Sequence, residues 1–376
     1  MKFFDLQKQD KLIKKEIDEA IRRVLNSSVF IGGQEVEKFE KEIAKFCRVK
    51  YAVSVNSGTD ALFLSLKALG IGPGDEIVTT PFTFIATAEV ITNLGAKPVF
   101  VDINPNTFNI NSSKIREAIT EKTKGIMPVH LFGQMVDMDE IMKIAKKYKL
   151  FVIEDAAQVI GAKIKPKAKS QKSKVAMAGS VGDLGCFSFF PTKNLGAYGD
   201  GGMIVTNNKK LADKAQLLKN HGSSPKEKYL NLILGMNSRL DALQAAVLRK
   251  KLKYLEEWNK KRAKNAFYYN KFLKGIGDII VPETGLGLTH IFHQYTIRTK
   301  YRDQLKKYLE REGIPAMIYY LTPLHLQPCF RHLSFKKGDF PEAEKAAKEV
   351  LSLPIYSELS RKDQNYIVQK IRNFYA

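Results

Sequence analysis

The sequence predicts an α/β fold: a large domain on a mainly parallel sheet with helices on both faces, followed by a second, smaller domain. Two observations lead there. Apolar periodicity switches repeatedly between helical and strand spacing from residue 35 to about 219, which is how crossover units read. Beyond residue 239 the alternation gives way to long helical stretches, and 376 residues, 44% of them hydrophobic, are enough for two cores.

In chain order, "EVEKFEKEIAKFC" has helical spacing, "YAVSV" reads as a strand, and "GTDALFLSLKALG" as a helix stopped by Gly70. There follow a strand "DEIVTT", a helix "TFIATAEVITNLG", a strand "KPVFVDI", a helix "SSKIREAIT", a strand "KGIMPVHL", a helix "DMDEIMKIAKKYK" and a strand "LFVIEDA". After "GGMIVTN" come a helix near 208–219, a long helical stretch at 239–273, a strand "HQYTIRT", a helix at 301–312 and two C-terminal helices from 341 and 361. The change of pattern sets the domains at 1–250 and 251–376.

Composition narrows the functional classes. The N-terminus lacks an apolar signal core, and no apolar run approaches the roughly 18 residues of a membrane span, so a cytoplasmic chain without a membrane span is expected. Cys47, Cys186 and Cys329 are far apart and form no CxxC pair, so no disulfide framework and no metal site is expected. The formal charge of +22 attracts polyanions without choosing among them. Most of it lies on helical faces, and the dense cluster "KIKPKAKSQKSK" at 163–174 holds six lysines and no aromatic residue. Without stacking residues it reads as a surface loop, and no nucleic-acid partner is expected.

Ligand sites in open parallel sheets form beyond the carboxyl ends of the strands. Three such places fit together. In "SVNSGTDALFL" a strand ends and a helix begins at Gly58 and Thr59, where free backbone N–H groups and a hydroxyl suit a phosphate, although the same letters also make an ordinary helix cap. In "LFVIEDAAQVIGA", Asp155 ends an apolar strand, where a carboxylate needs a partner or serves as a cap. In "GCFSFFPTKNLGAYGDGGMIV", Lys193 stands among Phe187, Phe189, Phe190 and Pro191, where desolvation lowers the pKa of its amine and makes it a nucleophile toward a carbonyl. Pyridoxal 5'-phosphate (PLP) combines an aldehyde, a phosphate and a protonated pyridine nitrogen, and so gives each place a task.

The segments "NSGTDALFLSLKALGIGPGDE", "VIEDAAQ", "GDLGCFSFFPTKNLGAYGDGGMI", "MNSRLDALQAAVL" and "YYLTPLHLQPCF" resemble the DegT/DnrJ/EryC1/StrS family of PLP-dependent nucleotide-sugar aminotransferases, over nearly the whole chain. The resemblance implies the type I, aspartate aminotransferase, fold and a homodimer with active sites at the interface. It implies that Lys193 is the residue joined to the cofactor and the catalytic acid and base, that Asp155 pairs with the pyridine nitrogen, and that Gln158 bonds the ring hydroxyl. Phe82 would stack on the ring, which a core aromatic at that position would not do. Gly58, Thr59 and Ser188 would hold the phosphate, joined by Asn237 of the partner subunit. Arg239, Tyr319, Tyr320 and His325 become substrate-binding candidates, with an interface ion pair or plain packing as the competing tasks.

The reaction so implied moves an amino group from L-glutamate to a keto group of a nucleotide-linked sugar, a UDP- or dTDP-linked 3-keto sugar being favoured, in glycan or polysaccharide precursor synthesis. Its rivals are a 4-keto sugar aminotransferase, a PLP enzyme acting on amino acids and a nucleic-acid-binding regulator. The chain departs from the family pattern at the lysine-rich loop and at Leu321 and Ser357, where proline is common.

Overall fold

The computed structural model describes residues 1–164 and 175–376, so most of the lysine-rich cluster lies outside the described residues. The chain opens with α1 (Leu6–Ser27) and α2 (Gly33–Cys47), then alternates: β1 (Tyr51–Val55), α3 (Gly58–Leu69), β2 (Glu76–Thr79), α4 (Ala86–Asn93), β3 (Lys97–Phe100), β4 (Thr123–Ile126), α5 (Met138–Tyr148) and β5 (Phe151–Asp155). A small hairpin, β6 (Lys163–Ile164) with β7 (Ala176–Met177), precedes β8 (Leu184–Ser188), β9 (Gly202–Thr206) and α6 (Lys209–Leu218). Then come α7 (Ala242–Leu252), α8 (Leu255–Leu273), β10 (Tyr295–Arg298), α9 (Arg302–Arg311), α10 (Pro341–Glu349), β11 (Val350–Leu353) and α11 (Arg361–Tyr375).

Seven strands form the main sheet in the order β1-β9-β8-β5-β4-β2-β3. The pairs from β8 through β5, β4 and β2 to β3 are parallel, and β9 runs antiparallel to both its neighbours, so the expected mainly parallel sheet is present with one reversed strand. Strand alternation divides the core between two faces. Val152, Met203 and Val205 join a cluster covered by α2, α5 and α7, whereas Ile153 and Ile204 join one covered by α3, α4 and α6.

A third cluster holds β10, β11, α9, α11 and the second half of α8. Helix α8 runs between cores, with Leu255 in the first and Ala266, Tyr269 and Leu273 in the third. Residue 250 lies in the last turn of α7, so the packing changes a few turns beyond it.

Two expected helices differ in detail. The stretch 239–273 is broken at Lys253 and Tyr254 into α7 and α8, and 112–120 forms only a tight 3-10 turn over Ser112–Ala118. Among the described residues no helix is long and apolar enough to cross a membrane.

Candidate active site

The sheet brings the three predicted places to one edge. Val55 at the end of β1 and Ser188 at the end of β8 both pair with Gly202, the first residue of β9. Asp155 at the end of β5 pairs with Cys186 of β8. The start of α3, Ser188 and Asp155 therefore stand side by side, as the strand-end rule requires.

At the start of α3, Ser57 caps the helix by accepting from Asp60 N at 3.0 Å. Gly58 is in close contact with Ser188: a Cβ on Gly58 would lie 2.6 Å from Ser188 Cβ and 3.2 Å from its Oγ. Gly202 has equally little room, its Cβ position being 2.1 Å from the Ser57 carbonyl. These bare glycines keep backbone close-packed at the start of α3 with the Ser188 hydroxyl beside it, and the helix dipole favours an anion there. Ser238 closes the far side, accepting from Asn56 N at 3.2 Å and donating to Asp60 Oδ2 at 2.6 Å. Asn237 is exposed, and its Oδ1 accepts from Arg239 Nε at 2.9 Å.

Asp155 is 6% exposed. Its carboxylate accepts from Thr87 Oγ1 at 2.8 Å and from Ala157 N at 3.3 Å, and among the described residues it makes no ion pair. Burial raises its pKa above the ordinary carboxylate range, against the lowering effects of Thr87, the Ala157 N–H, Lys193 and His130. A buried carboxylate in this state favours a cation placed next to it.

Lys193 sits in a loop tied at several points: Phe189 N donates to Gly201 O at 2.7 Å, Lys193 N to Phe190 O at 2.8 Å, and Ala197 N to Phe189 O at 2.8 Å. Gly196 permits this turn, since a Cβ there would meet Pro191 O at 2.1 Å. Burial lowers the Lys193 pKa to about 8, and Asp155 opposes that shift. The two groups thus feel one another across the cleft. Of the aromatics around the lysine, Phe187 and Phe189 turn into the core while Phe190 is 50% exposed.

Gln158 is held at both ends of its amide, accepting from Phe132 N at 2.8 Å and donating to Tyr320 Oη at 3.2 Å. Burial raises the Tyr320 pKa, so the phenol stays protonated. Phe82 is wholly buried, and its ring meets Tyr320 edge-on at 6.1 Å. Phe84, not singled out in the sequence, is 55% exposed and lies 6.5 Å from Tyr320. Tyr319 is half-buried against Phe3 at 6.3 Å. His325 is turned into the protein, with Nε2 3.1 Å from Glu344 Oε1 and its ring against Phe340. The site thus gathers Gly58, Thr59, Asp155, Gln158, Ser188, Lys193 and Tyr320, and leaves His325 in a buried pair.

Two further residues act on this site without having been legible. Thr87 holds Asp155 from the first turn of α4, and its place in "TFIATAEVI", at the start of the helix that follows β2, is the signal that could have found it. His293 is buried and lies within the electrostatic influence of Lys193.

Comparisons with known proteins give the family and the fold. The model of the DegT/DnrJ/EryC1/StrS aminotransferase family matches residues 11–372. A pleiotropic regulatory protein of Geobacillus stearothermophilus is 51% identical over 99% of this chain and 97% of its own. A UDP-N-acetyl-3-dehydro-alpha-D-glucosamine 3-aminotransferase of Acidithiobacillus ferrooxidans is 44% identical over 98% of this chain and 96% of its own. Among solved structures, S. venezuelae DesV in complex with a ketimine intermediate superposes with a TM-score of 0.94 at 38% identity, covering 100% of this chain and 98% of the other. Bacillus subtilis NtdA with bound cofactor PMP gives 0.86 at 34% identity, covering 96% and 81%.

Proposed function

Because the chain belongs to the DegT/DnrJ/EryC1/StrS aminotransferase family and uses PLP, we propose that it transfers the amino group of L-glutamate to the C3 keto group of a UDP- or dTDP-linked sugar. The observation that carries this reading is the juxtaposition at one sheet edge of a lysine with a lowered pKa and a buried carboxylate that feels its charge, beside a close glycine contact suited to phosphate. The relatives that act on nucleotide-linked 3-keto sugars support the substrate class.

The residues fit the cofactor. Gly58, Thr59 and Ser188 would hold its phosphate, Asp155 would oppose the charge of its pyridine nitrogen, and Gln158 would bond its ring hydroxyl. When bound, PLP supplies an aldehyde that takes up and passes on the amino group, with a ring that stabilises negative charge on the neighbouring carbon. Lys193 contributes an Nζ that gives up its proton far more easily than an ordinary lysine, so it can take a proton from one carbon and return it to another. Thr87 keeps the Asp155 carboxylate aimed as that charge rises and falls. Tyr320 fixes Gln158 by hydrogen bonding, and Phe84, more open than Phe82, offers the ring face that could cover the cofactor.

A homodimer with Asn237 and Arg239 at its interface completes the reading. Its support is a set of exposed apolar side chains, Val29, Phe30 and Ile31 on one segment and Leu232 and Leu234 on another.

The test is an absorbance spectrum of the protein with PLP, recorded before and after L-glutamate, then with UDP- and dTDP-linked 3-keto and 4-keto sugars. Loss of the lysine-bound cofactor band on adding glutamate, and its return with a 3-keto sugar, is the expected result. Return only with a 4-keto sugar moves the acceptor carbon, and absence of the lysine-bound band overturns the reading.

A further inference from the structure

A buried chain of side-chain hydrogen bonds runs away from the lysine. Asn194 follows Lys193, is 4% exposed, and donates from Nδ2 to Asn259 Oδ1 at 2.7 Å and to Ile291 O at 3.3 Å. Both amide hydrogens are then in use, and Oδ1 is left to accept. His293 Nδ1 stands 3.2 Å from that oxygen, so in this arrangement Nδ1 carries the hydrogen and donates. Asn259 donates in turn to Ile160 O at 3.1 Å. Gly161, with φ +92°, makes room for it, since a Cβ there would lie 2.7 Å from Asn259 Nδ2.

The three polar side chains are 4 to 7% exposed, a burial tolerated only when hydrogen bonds are made. Their chain joins the Lys193 turn to α8, to the stretch entering β10, and to the segment following Asp155 and Gln158. The ring of Phe4 lies over the other side of His293 at 6.5 Å, with the planes 15° apart. The cations around His293 are Lys193 and Arg262 of α8, and the carboxylate acting on Lys193 is Asp155. Burial and both cations keep the imidazole uncharged.

We propose that His293 is a positioning residue for Lys193: by donating from Nδ1 to Asn194 Oδ1 it locks the Lys193 turn against α8 and against the chain leaving Asp155. It need not touch the reacting atoms to matter, because a displacement of about 1 Å at a reacting group can cost about 10²-fold in rate. The inference rests on the reading of Lys193 as the cofactor lysine.

The test follows acylation of Lys193 against pH in the cofactor-free protein, by peptide mass mapping with an amine-directed reagent. Wild type is compared with His293→Phe, His293→Gln and His293→Asn, with thermal melting as the control for folding. Asn places an amide N–H where the ring carries Nδ1, whereas Gln and Phe do not. In the expected result the wild-type midpoint lies near 8, the Phe and Gln variants move it toward that of an ordinary lysine and slow labelling at pH 8 by about 3- to 10-fold, and Asn restores it. Wild-type behaviour in all three variants overturns the inference, as does an Asn variant no better than Phe. A wild-type Lys193 that labels as an ordinary lysine also overturns the inference, whereas the reading of Lys193 as the cofactor lysine falls only if no lysine-bound band forms with PLP, so the two failures are distinct. If His293→Phe does not fold, Asn259→Ser cuts the same chain one bond further away and is read by the same criteria.

Discussion

Glu154 and Asp155 are consecutive on β5 and point to opposite faces of the sheet, and their carboxylates are treated in opposite ways. Glu154 accepts from the backbone N–H groups of Gly179, Val181 and Gly182 at 2.7 to 2.9 Å and lies 2.8 Å from His130 Nε2. His130 Nδ1 accepts from Val136 N, so Nε2 carries the hydrogen and donates to Glu154. Among the described residues the Asp155 carboxylate accepts only from Thr87 and Ala157. One carboxylate is saturated and structural, and the other keeps capacity for a ligand.

Exchanging the two residues for neutral ones therefore separates stability from function. Glu154→Ala leaves four donors, two of them buried, without their acceptor and is expected to cost about 3 kcal/mol or more in urea unfolding. Asp155→Asn is expected to stabilise the cofactor-free protein. A carboxyl whose folded pKa is raised costs stability once it ionises, so the advantage of Asn should open as pH rises above about 4. The same variant should lose the glutamate-dependent spectral change.

Lys193 has a depressed folded pKa, and its charged form therefore disfavours folding at neutral pH. Lys193→Ala is expected to melt no lower than wild type without cofactor, while transamination falls by about 10³-fold or more. Asp155 is the group that raises the lysine pKa, so Asp155→Asn should shift the wild-type labelling midpoint downward.

Gly58→Ala places a methyl group 2.6 Å from Ser188 Cβ. Relieving such an overlap costs about 1 to 3 kcal/mol, and here the displacement falls on the start of α3. A loss of PLP affinity of about 10-fold or more is expected by fluorescence titration.

His325 and Tyr320 share a segment and should separate in kinetics. His325→Ala breaks a buried contact with Glu344 and is expected to lower the melting temperature with KM for the keto sugar unchanged. Tyr320→Phe removes the partner of Gln158 Nε2, a bond worth about 1 kcal/mol, and is expected to lower kcat by about 3- to 10-fold with melting intact.

Much of the sheet was legible because its strands are short apolar runs that end in polar or glycine-rich turns; Asp155 is the last residue of one strand, and Gly58 and Lys193 lie a few residues after two others. What the sequence could not resolve is direction. Phe82 and Phe84 are two residues apart and equally aromatic, yet one is enclosed and the other open, because loop backbone rather than strand alternation sets their facing. Nothing in "PLHLQP" announces that His325 meets Glu344 nineteen residues later. Asn194, Asn259 and His293 are brought together from three distant segments, and pairing across such separations leaves no local pattern. The break at Lys253 and Tyr254 was hidden because both flanking stretches keep helical spacing without a proline or glycine between them.

The reversed strand β9 has a consequence for how the molecule is made. Strand β1 lies at the sheet edge with β9 as its neighbour, and Tyr51 pairs with Thr206, so the contact joins residues about 150 positions apart. A chain growing from its N-terminus offers β1 no strand to join until Gly202–Thr206 has been synthesised. The proposed phosphate site, which needs Gly202 beside Ser57 and Gly58, therefore cannot exist on any nascent chain shorter than this, and the cofactor can reward folding only after the whole main sheet has emerged.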